Sequence, residues 1–142
     1  MNNKYPPISY RGIFIFKKKT LDKLSFLRYT MYMNKRQVLI YQTKNGKEPF
    51  TLWLKKIKDN TIKARIYQRV NEASLGYYGT YKRLGKGLIE LKMPFGKGYR
   101  IYFAELGNII LLILTGGTKN TEKEQSKDIA KAREYLEEFL AR

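Results

Sequence analysis

The stretch that decides the fold runs from Tyr81 to Lys119 and reads YKRLGKGLIELKMPFGKGYRIYFAELGNIILLILTGGTK. It holds four short runs rich in apolar, aromatic and β-branched residues, which are typical of strands. Three breaks that contain glycine separate these runs, at Gly85–Gly87, Pro94–Gly98 and Gly107–Asn108. Glycine and asparagine adopt positive φ at little steric cost, so tight reversals are expected at the breaks. The stretch therefore predicts a four-stranded antiparallel meander.

Alternate residues in the second and third of these strands differ in chemistry. Side chains in a strand point to opposite faces with a period of two. One face of Leu88–Met93 and Tyr99–Glu105 is apolar, and the other carries the charged and phenolic groups, namely Glu90, Lys92, Arg100 and Tyr102. Two interpretations follow: a solvated outer face, which antiparallel sheets commonly have, or a basic surface that handles phosphate and protons. Alternation alone favours the solvated face.

One strand and two helices are predicted before the meander. Gln37–Gln42 (QVLIYQ) has the β-branched and aromatic residues of a strand. A helix is predicted over Glu48–Lys58, where Pro49 suits the first turn. Apolar residues at helical spacing predict a second helix over Thr61–Ser74.

The sequence at and after the last strand of the meander completes an α+β pattern. Ile109–Leu114 is apolar on both faces, so we expect it inside the sheet and covered by helices. Thr121 and Glu124 then have the spacing of a capping box, and an apolar helical stripe follows. The order β-α-α-β-β-β-β-α predicts an α+β domain with a mainly antiparallel, twisted sheet and helices packed on one face.

Composition narrows the chemistry of this 142-residue chain. It contains no Cys and no His, which excludes disulfides, thiolate nucleophiles and histidine bases or ligands. The formal net charge of +17 predicts a polyanionic partner: a nucleic acid, an acidic protein or an anionic membrane. No apolar run approaches the roughly twenty residues that span a bilayer, and no targeting segment is evident. We expect a cytoplasmic protein, which the absence of Cys fits.

The first 36 residues differ from the rest of the chain. They carry nine basic residues and one acid, which gives +8 of the total charge of +17. They have no clear helical period, and one short strand is expected at Gly12–Lys17. We expect a basic N-terminal extension over residues 1–36, disordered in part, and a domain over residues 37–142. The extension is either a dispensable product of an upstream start or an arm that folds on a partner.

The residue types that remain suit phosphate chemistry without a metal or cofactor. The acids are scattered and none has metal-ligand spacing. RNA supplies its own nucleophile, the 2′-hydroxyl, so an enzyme needs only to align it and stabilise charge on the phosphoryl oxygens. Arginine binds phosphate through a planar fork, and a lysine crowded by cations can exchange protons. A basic sheet of this kind can cut RNA or simply bind it.

Motifs along the meander and the last helix resemble a known family. They are Gly87–Lys92 (GLIELK), Gly96–Phe103 (GKGYRIYF), Leu112–Lys119 (LILTGGTK) and Lys127–Ala132 (KDIAKA). In this order they resemble the RelE/ParE superfamily of bacterial toxins, in its HigB-like, phage-derived "addiction module killer protein" branch. The pattern of that branch ends L-x-G-G-x-K-x-x-Q-x-x-D-I-x-x-A. The resemblance covers about residues 37–142.

The resemblance implies the RelE-like fold and the toxin of a type II toxin-antitoxin system. The partners it implies are a cognate antitoxin, often a helix-turn-helix protein, and the ribosome with its mRNA. It implies a ribosome-dependent mRNA endoribonuclease. The alternatives are a ParE-like toxin that inhibits gyrase and a degenerate basic module that only binds its antitoxin.

The resemblance and the strand pattern together give the candidate site residues. Arg100 matches the phosphate-contacting arginine of the G-Y-R motif, Lys119 lies near the place of a basic residue after the last strand, and Lys92 stands where the branch usually has Arg. Lys82 and Tyr102 are further candidates for proton transfer, and Tyr102 also for base stacking. Glu90 is expected to hold Arg100 or Lys92 in place. General contacts with RNA are predicted for Arg83, Lys86 and Lys97.

Overall fold

The computed structural model describes Lys23 and residues 35–107, 110–119 and 121–142. The chain divides into two units, Met1–Lys35 and Arg36–Arg142. Nearly all of the first unit lies outside the described residues, and so does the strand predicted at Gly12–Lys17. The strands and helices of the second unit are β1 (Gln37–Ile40), α1 (Pro49–Lys56), α2 (Asn60–Ser74), β2 (Tyr81–Gly85), β3 (Leu88–Met93), β4 (Tyr99–Leu106), β5 (Ile110–Thr118) and α3 (Glu122–Leu140).

The second unit is an α+β domain built on one five-stranded sheet. The strand order is β1-β5-β4-β3-β2. Strand β1 runs parallel to β5, and the other three pairs are antiparallel, as the predicted meander requires. Strand β5 lies inside the sheet between β1 and β4, which confirms its predicted place.

Helices cover both faces of the sheet, so the prediction that they pack on one face is wrong. Helices α1 and α2 pack on one face, where Phe50 and Ile66 meet Ile101 and Phe103 of β4. Helix α3 packs on the other, in a second cluster that contains Leu88, Tyr102, Leu112, Ala132 and Leu136. The physical reason is that β5 and α3 each bring apolar surface that only a second layer can bury. The face that carries Glu90 and Tyr102 is consequently not the solvated face that alternation favoured.

Local hydrogen bonds fix where α3 begins, directly after β5. The Thr121 hydroxyl accepts a hydrogen bond from the Glu124 amide at 3.3 Å. The Glu124 carboxylate in turn accepts one from the Thr121 amide at 3.2 Å. This reciprocal pair is the predicted capping box, and it satisfies two helix-end donors at once. Helix α3 is thereby capped at Thr121, three residues after β5 ends at Thr118.

Two adjacent glycines in β5 let both helix layers approach the sheet closely. A Cβ on Gly116 would overlap the Trp53 ring of α1. A Cβ on Gly117, which faces the other layer, would lie 2.5 Å from an Asp128 carboxylate oxygen of α3.

Within the described ranges, no helix combines the length and the apolar character needed to cross a bilayer.

Candidate functional site

Three strand ends meet beside the second Gly-Lys-Gly turn, Gly96–Gly98. Lys92 of β3 is the register partner of Arg100 of β4, and Arg100 is the partner of Gly117 of β5. The Lys119 amide donates a hydrogen bond to the Gly98 carbonyl at 2.8 Å, which brings the residue after β5 to the same place. The result is a cavity of about 290 Å³, here called the cationic depression, lined by Thr80, Lys92, Met93, Pro94, Gly98, Tyr99, Arg100 and Lys119.

A buried carboxylate anchors two of these cations. The Glu90 side chain is 0% exposed, and its Oε2 lies 3.7 Å from Arg100 Nε. Its Oε1 lies 4.0 Å from Lys92 Nζ. Among the described residues the Arg100 guanidinium makes no hydrogen bond, so its donors remain available to a ligand. Glu90 therefore holds both cations in place, as expected, while the lining of the cationic depression itself contains no carboxylate.

Helix α3 completes the surroundings of Glu90. Gln125 Nε2 donates a hydrogen bond to Glu90 Oε2 at 3.0 Å. Glu90 Oε1 has no hydrogen-bond partner among the described residues, so this oxygen relies on its ion pair with Lys92. Sequence reasoning did not select Gln125. The available signal was the Q-x-x-D spacing in the pattern of the toxin branch that the motifs resemble, and Gln125 and Asp128 reproduce this spacing.

Tyr102 lies beneath α3 and away from the cationic depression. Its side chain is fully buried, and its hydroxyl has no hydrogen-bond partner in the described part of the chain. Burial, followed by the nearby Glu90 charge, raises the pKa of Tyr102 well above its usual range. A buried phenol with that pKa keeps its proton, so its position offers neither base stacking nor proton exchange with a bound ligand.

Asp128 brings a second carboxyl group close to Arg100. It lies against Gly117, the residue beside Arg100 in the sheet. Burial raises the pKa of Asp128, the Arg100 charge opposes that rise, and the Glu124 charge adds to it. The Arg100 guanidinium thus sits between acidic groups from the sheet and from α3.

The other predicted residues lie outside the cationic depression. Lys82 is the register partner of Glu90 on the edge strand β2 and is exposed. Arg83 pairs with Glu105 at 3.2 Å. Lys86 occupies the turn at the opposite end of β3, and Lys97 lines a neighbouring cavity of about 580 Å³. Of the eight predicted residues, only Lys92, Arg100 and Lys119 come together in the cationic depression.

The depression can bind an anion through three side chains without a metal. Within the described ranges, no group of three or more acidic side chains could hold a metal ion. One arginine and two lysines on strand ends suit a phosphate group, because cations there need little rearrangement to meet its oxygens. The fold and site define a small α+β protein with a basic depression of about 290 Å³, which is large enough to admit a phosphate group.

Comparison with known proteins places the chain in a family. An uncharacterized protein of Haemophilus influenzae is 35% identical to it over 90 residues, which cover 63% of this chain and 88% of the relative. The chain belongs to the family of that protein. No family model matches the chain.

Proposed function

We propose that this protein is the toxin of a type II toxin-antitoxin system, with the RelE-like fold, and that it cleaves mRNA on the ribosome. The observation that carries the proposal is the meeting of Lys92, Arg100 and Lys119 in one depression whose described lining has no carboxylate. The positive side chains attract the phosphate oxygens, and no carboxylate in the described lining repels them. The order of strands and helices and the motif resemblance support the same assignment.

The chemistry follows from RNA's own nucleophile. The 2′-oxygen attacks the adjacent phosphorus, the bond from phosphorus to the 5′-oxygen breaks, and a 2′,3′-cyclic phosphate or 3′-phosphate end remains. Arg100 and Lys119 stabilise the charge on the non-bridging oxygens. The Lys92 side chain is 43% exposed, so its ammonium can reach the leaving 5′-oxygen and supply the proton it needs. Solvent takes the proton of the 2′-hydroxyl.

Glu90 orients the cations that carry out this chemistry, and Gln125 hydrogen-bonds to Glu90. A charge that is held by a buried partner is already oriented when substrate arrives, so less rotamer freedom is lost on binding. The Arg100 side chain is 15% exposed, which leaves a small, directed surface for contact with phosphate. Lys82 and Tyr102 have no part in the proposed mechanism because neither lines the cationic depression.

The proposed cellular setting is the cytoplasm, with the ribosome and mRNA as target and a cognate antitoxin, often a helix-turn-helix protein in this branch, as partner. A formal net charge of +17 fits both an RNA target and an acidic neutralising partner. The charge also favours rapid, salt-dependent association with ribosomes.

Induction of the chain in bacteria, followed by mapping of mRNA 5′ ends, tests the proposal. We expect growth arrest with new ends at phased positions within codons, and we expect Arg100→Ala to abolish both. Lys55→Ala, which removes one exposed charge from α1, is the matched control and should behave as wild type. A DNA-damage response without new ends would point to gyrase. Growth without arrest would leave a module that only binds its antitoxin.

A further inference from the structure

A second cavity adjoins the cationic depression across Pro94. It has a volume of about 410 Å³ and is lined by Arg65, Gln68, Arg69, Glu72, Pro94 and Phe95. Pro94 lines both cavities, so the two cavities are neighbours that share this residue. The second cavity, here called the Phe95 cavity, lies between α2 and the β3–β4 turn, and the proposed chemistry makes no use of it.

Arg65 and Phe95 form a stacked pair in this cavity. The guanidinium carbon of Arg65 lies 4.0 Å from the centroid of the Phe95 ring. Arg65 is exposed, so the guanidinium has an aromatic ring on one face and open space towards the cavity. Nucleobases stack on arginine guanidinium planes as they do on aromatic rings.

The turn that carries Phe95 is fixed by its neighbours. The Gly98 amide donates a hydrogen bond to the Phe95 carbonyl at 3.0 Å, and the ring centroids of Phe95 and Tyr99 are 5.9 Å apart. Gly96 has φ +59°, and a Cβ there would lie 3.2 Å from both Ile62 and Tyr99. The Phe95 ring is therefore held in place before any ligand binds, which lowers the entropy cost of stacking.

The charges around the cavity leave Arg65 available. Arg69 pairs with Glu72 at 3.0 Å and also donates to the Tyr78 carbonyl, so the one acid of the lining is already neutralised. Among the described residues, Arg65 has no ion pair and the Gln68 amide no hydrogen bond. A guanidinium plane beside a free amide can stack a base and read its edge.

We propose that the Phe95 cavity is a nucleobase subsite. A base of single-stranded RNA stacks on the outer face of Arg65, which Phe95 supports from below, and Gln68 hydrogen-bonds to the edge of that base. The backbone of the same strand crosses Pro94 into the cationic depression. The inference rests on the proposed function, because that function supplies the RNA strand and the neighbouring phosphate.

Binding of short RNA to the purified full chain tests the subsite. The probe is a fluorescent tetranucleotide with 2′-fluoro groups, which prevent attack by the 2′-oxygen. It is compared with four abasic versions, each of which lacks the base at a different position. We expect removal of one particular base to weaken binding by wild type roughly 5- to 100-fold, the range for a stacked base. Phe95→Leu should bind the intact probe as weakly as wild type binds that abasic probe. Removal of the same base should then weaken binding by Phe95→Leu no further.

Conservative variants separate stacking from charge and from folding. Arg65→Lys keeps the charge and loses the plane, so it should lose the dependence on that base, whereas Phe95→Tyr keeps the ring and should retain it. Lys55→Ala should leave it unchanged. The proposal is overturned if Arg65→Lys binds every probe like wild type, if base removal costs the same in Phe95→Leu as in wild type, or if wild type binds no probe.

These outcomes are distinguishable from failure of the proposed function. If base removal acts independently of Phe95 while Arg100→Ala abolishes mRNA cleavage in cells, the subsite fails and the ribonuclease stands. If base-dependent binding maps to Phe95 and induced cells show no new mRNA ends, the subsite stands and the ribonuclease fails.

Discussion

The two Gly-Lys-Gly turns at opposite ends of β3 share a sequence and differ in surroundings. A Cβ on Gly85 or Gly87 of the first turn would meet nothing within 4 Å. A Cβ on Gly98 of the second turn would lie 3.0 Å from Lys119 Cβ, because β5 ends against that turn. The same three residues thus form an open reversal at one end of the strand and a wall of the cationic depression at the other. The motif alone does not decide which end can hold a ligand.

Each end of the sheet also has a carboxylate that bridges two cations. Towards the first turn, Glu105 lies 3.8 Å from Arg36 and 3.2 Å from Arg83, and its side chain is 24% exposed. Glu90 holds Arg100 and Lys92, and its side chain is fully buried. Water and salt screen the first cluster and hardly reach the second carboxylate. The two ends therefore give matched pairs of substitutions.

The largest expected difference concerns the two lysines. Lys119→Ala removes a charge from the cationic depression, and we expect mRNA cleavage on ribosomes to slow about 100-fold, the scale for losing one group that stabilises transition-state charge. Lys86→Ala removes the same charge at the open turn and should slow cleavage less than about threefold. Cleavage rates at one fixed salt concentration measure both effects. Equal losses would erase the distinction between the two ends.

The two bridging carboxylates should differ next most strongly. Glu90→Gln leaves Arg100 and Lys92 without their buried partner, and we expect the free energy of unfolding to fall by roughly 2–3 kcal/mol, below the range for fully buried pairs because Lys92 is half exposed. Glu105→Gln should lower it by less than about 1 kcal/mol, as for other exposed clusters. Urea unfolding of both variants gives the comparison, and a larger loss in Glu105→Gln would reverse our assignment.

Two glycines with the same backbone angle separate backbone strain from packing. Gly87 and Gly98 both have φ +84°, so alanine brings about 1–2 kcal/mol of backbone strain at either position. Gly98→Ala must also displace Lys119, and we expect about 1 kcal/mol of additional destabilisation together with slower cleavage. Gly87→Ala should keep wild-type cleavage. Thermal unfolding and cleavage assays on both variants measure these effects. Identical stability and cleavage in the two variants would show that the second turn does not form part of the cationic depression.

The smallest effect is a pH dependence at Asp128. Burial raises the pKa of this carboxyl in the folded protein, so the native state binds its proton more tightly than the unfolded chain does. As pH rises from the ordinary aspartate pKa through the raised native value, this group's contribution to stability falls, and above that range the loss stays constant. Asp128→Asn does not titrate. Urea unfolding at a series of acidic pH values should therefore show that wild type loses stability relative to Asp128→Asn as pH rises. If the stability of wild type minus that of the variant stays constant or increases as pH rises, the result would contradict this prediction.

The meander was predictable because its signals are local. Strand β3 was predicted and is observed at Leu88–Met93, since glycine-rich breaks and alternation both act within a few residues. The placement of α3 over the polar face was not predictable in the same way. Alternation distinguishes the two faces of a strand and says nothing about which helix will return to cover them.

The site was predictable only where strand ends define it. Lys92, Arg100 and Lys119 meet because they lie near strand termini at the same end of the sheet, and the order of turns determines which termini come together there. Lys82 misses the depression because its register partner is Glu90, two residues before Lys92. The contact between Gln125 and Glu90 joins residues 35 positions apart, and no local pattern in the sequence relates them.

The most direct test of the ribonuclease proposal is cleavage of a defined mRNA on purified ribosomes by wild type and by Arg100→Ala. We expect wild type to release a fragment that ends in a 2′,3′-cyclic phosphate or 3′-phosphate, and a single 2′-deoxy substitution at the scissile nucleotide to block it. Arg100→Ala should cleave about 100-fold or more slowly while folding normally. Cleavage by Arg100→Ala at the wild-type rate, or an intact mRNA with wild type, would contradict the proposal.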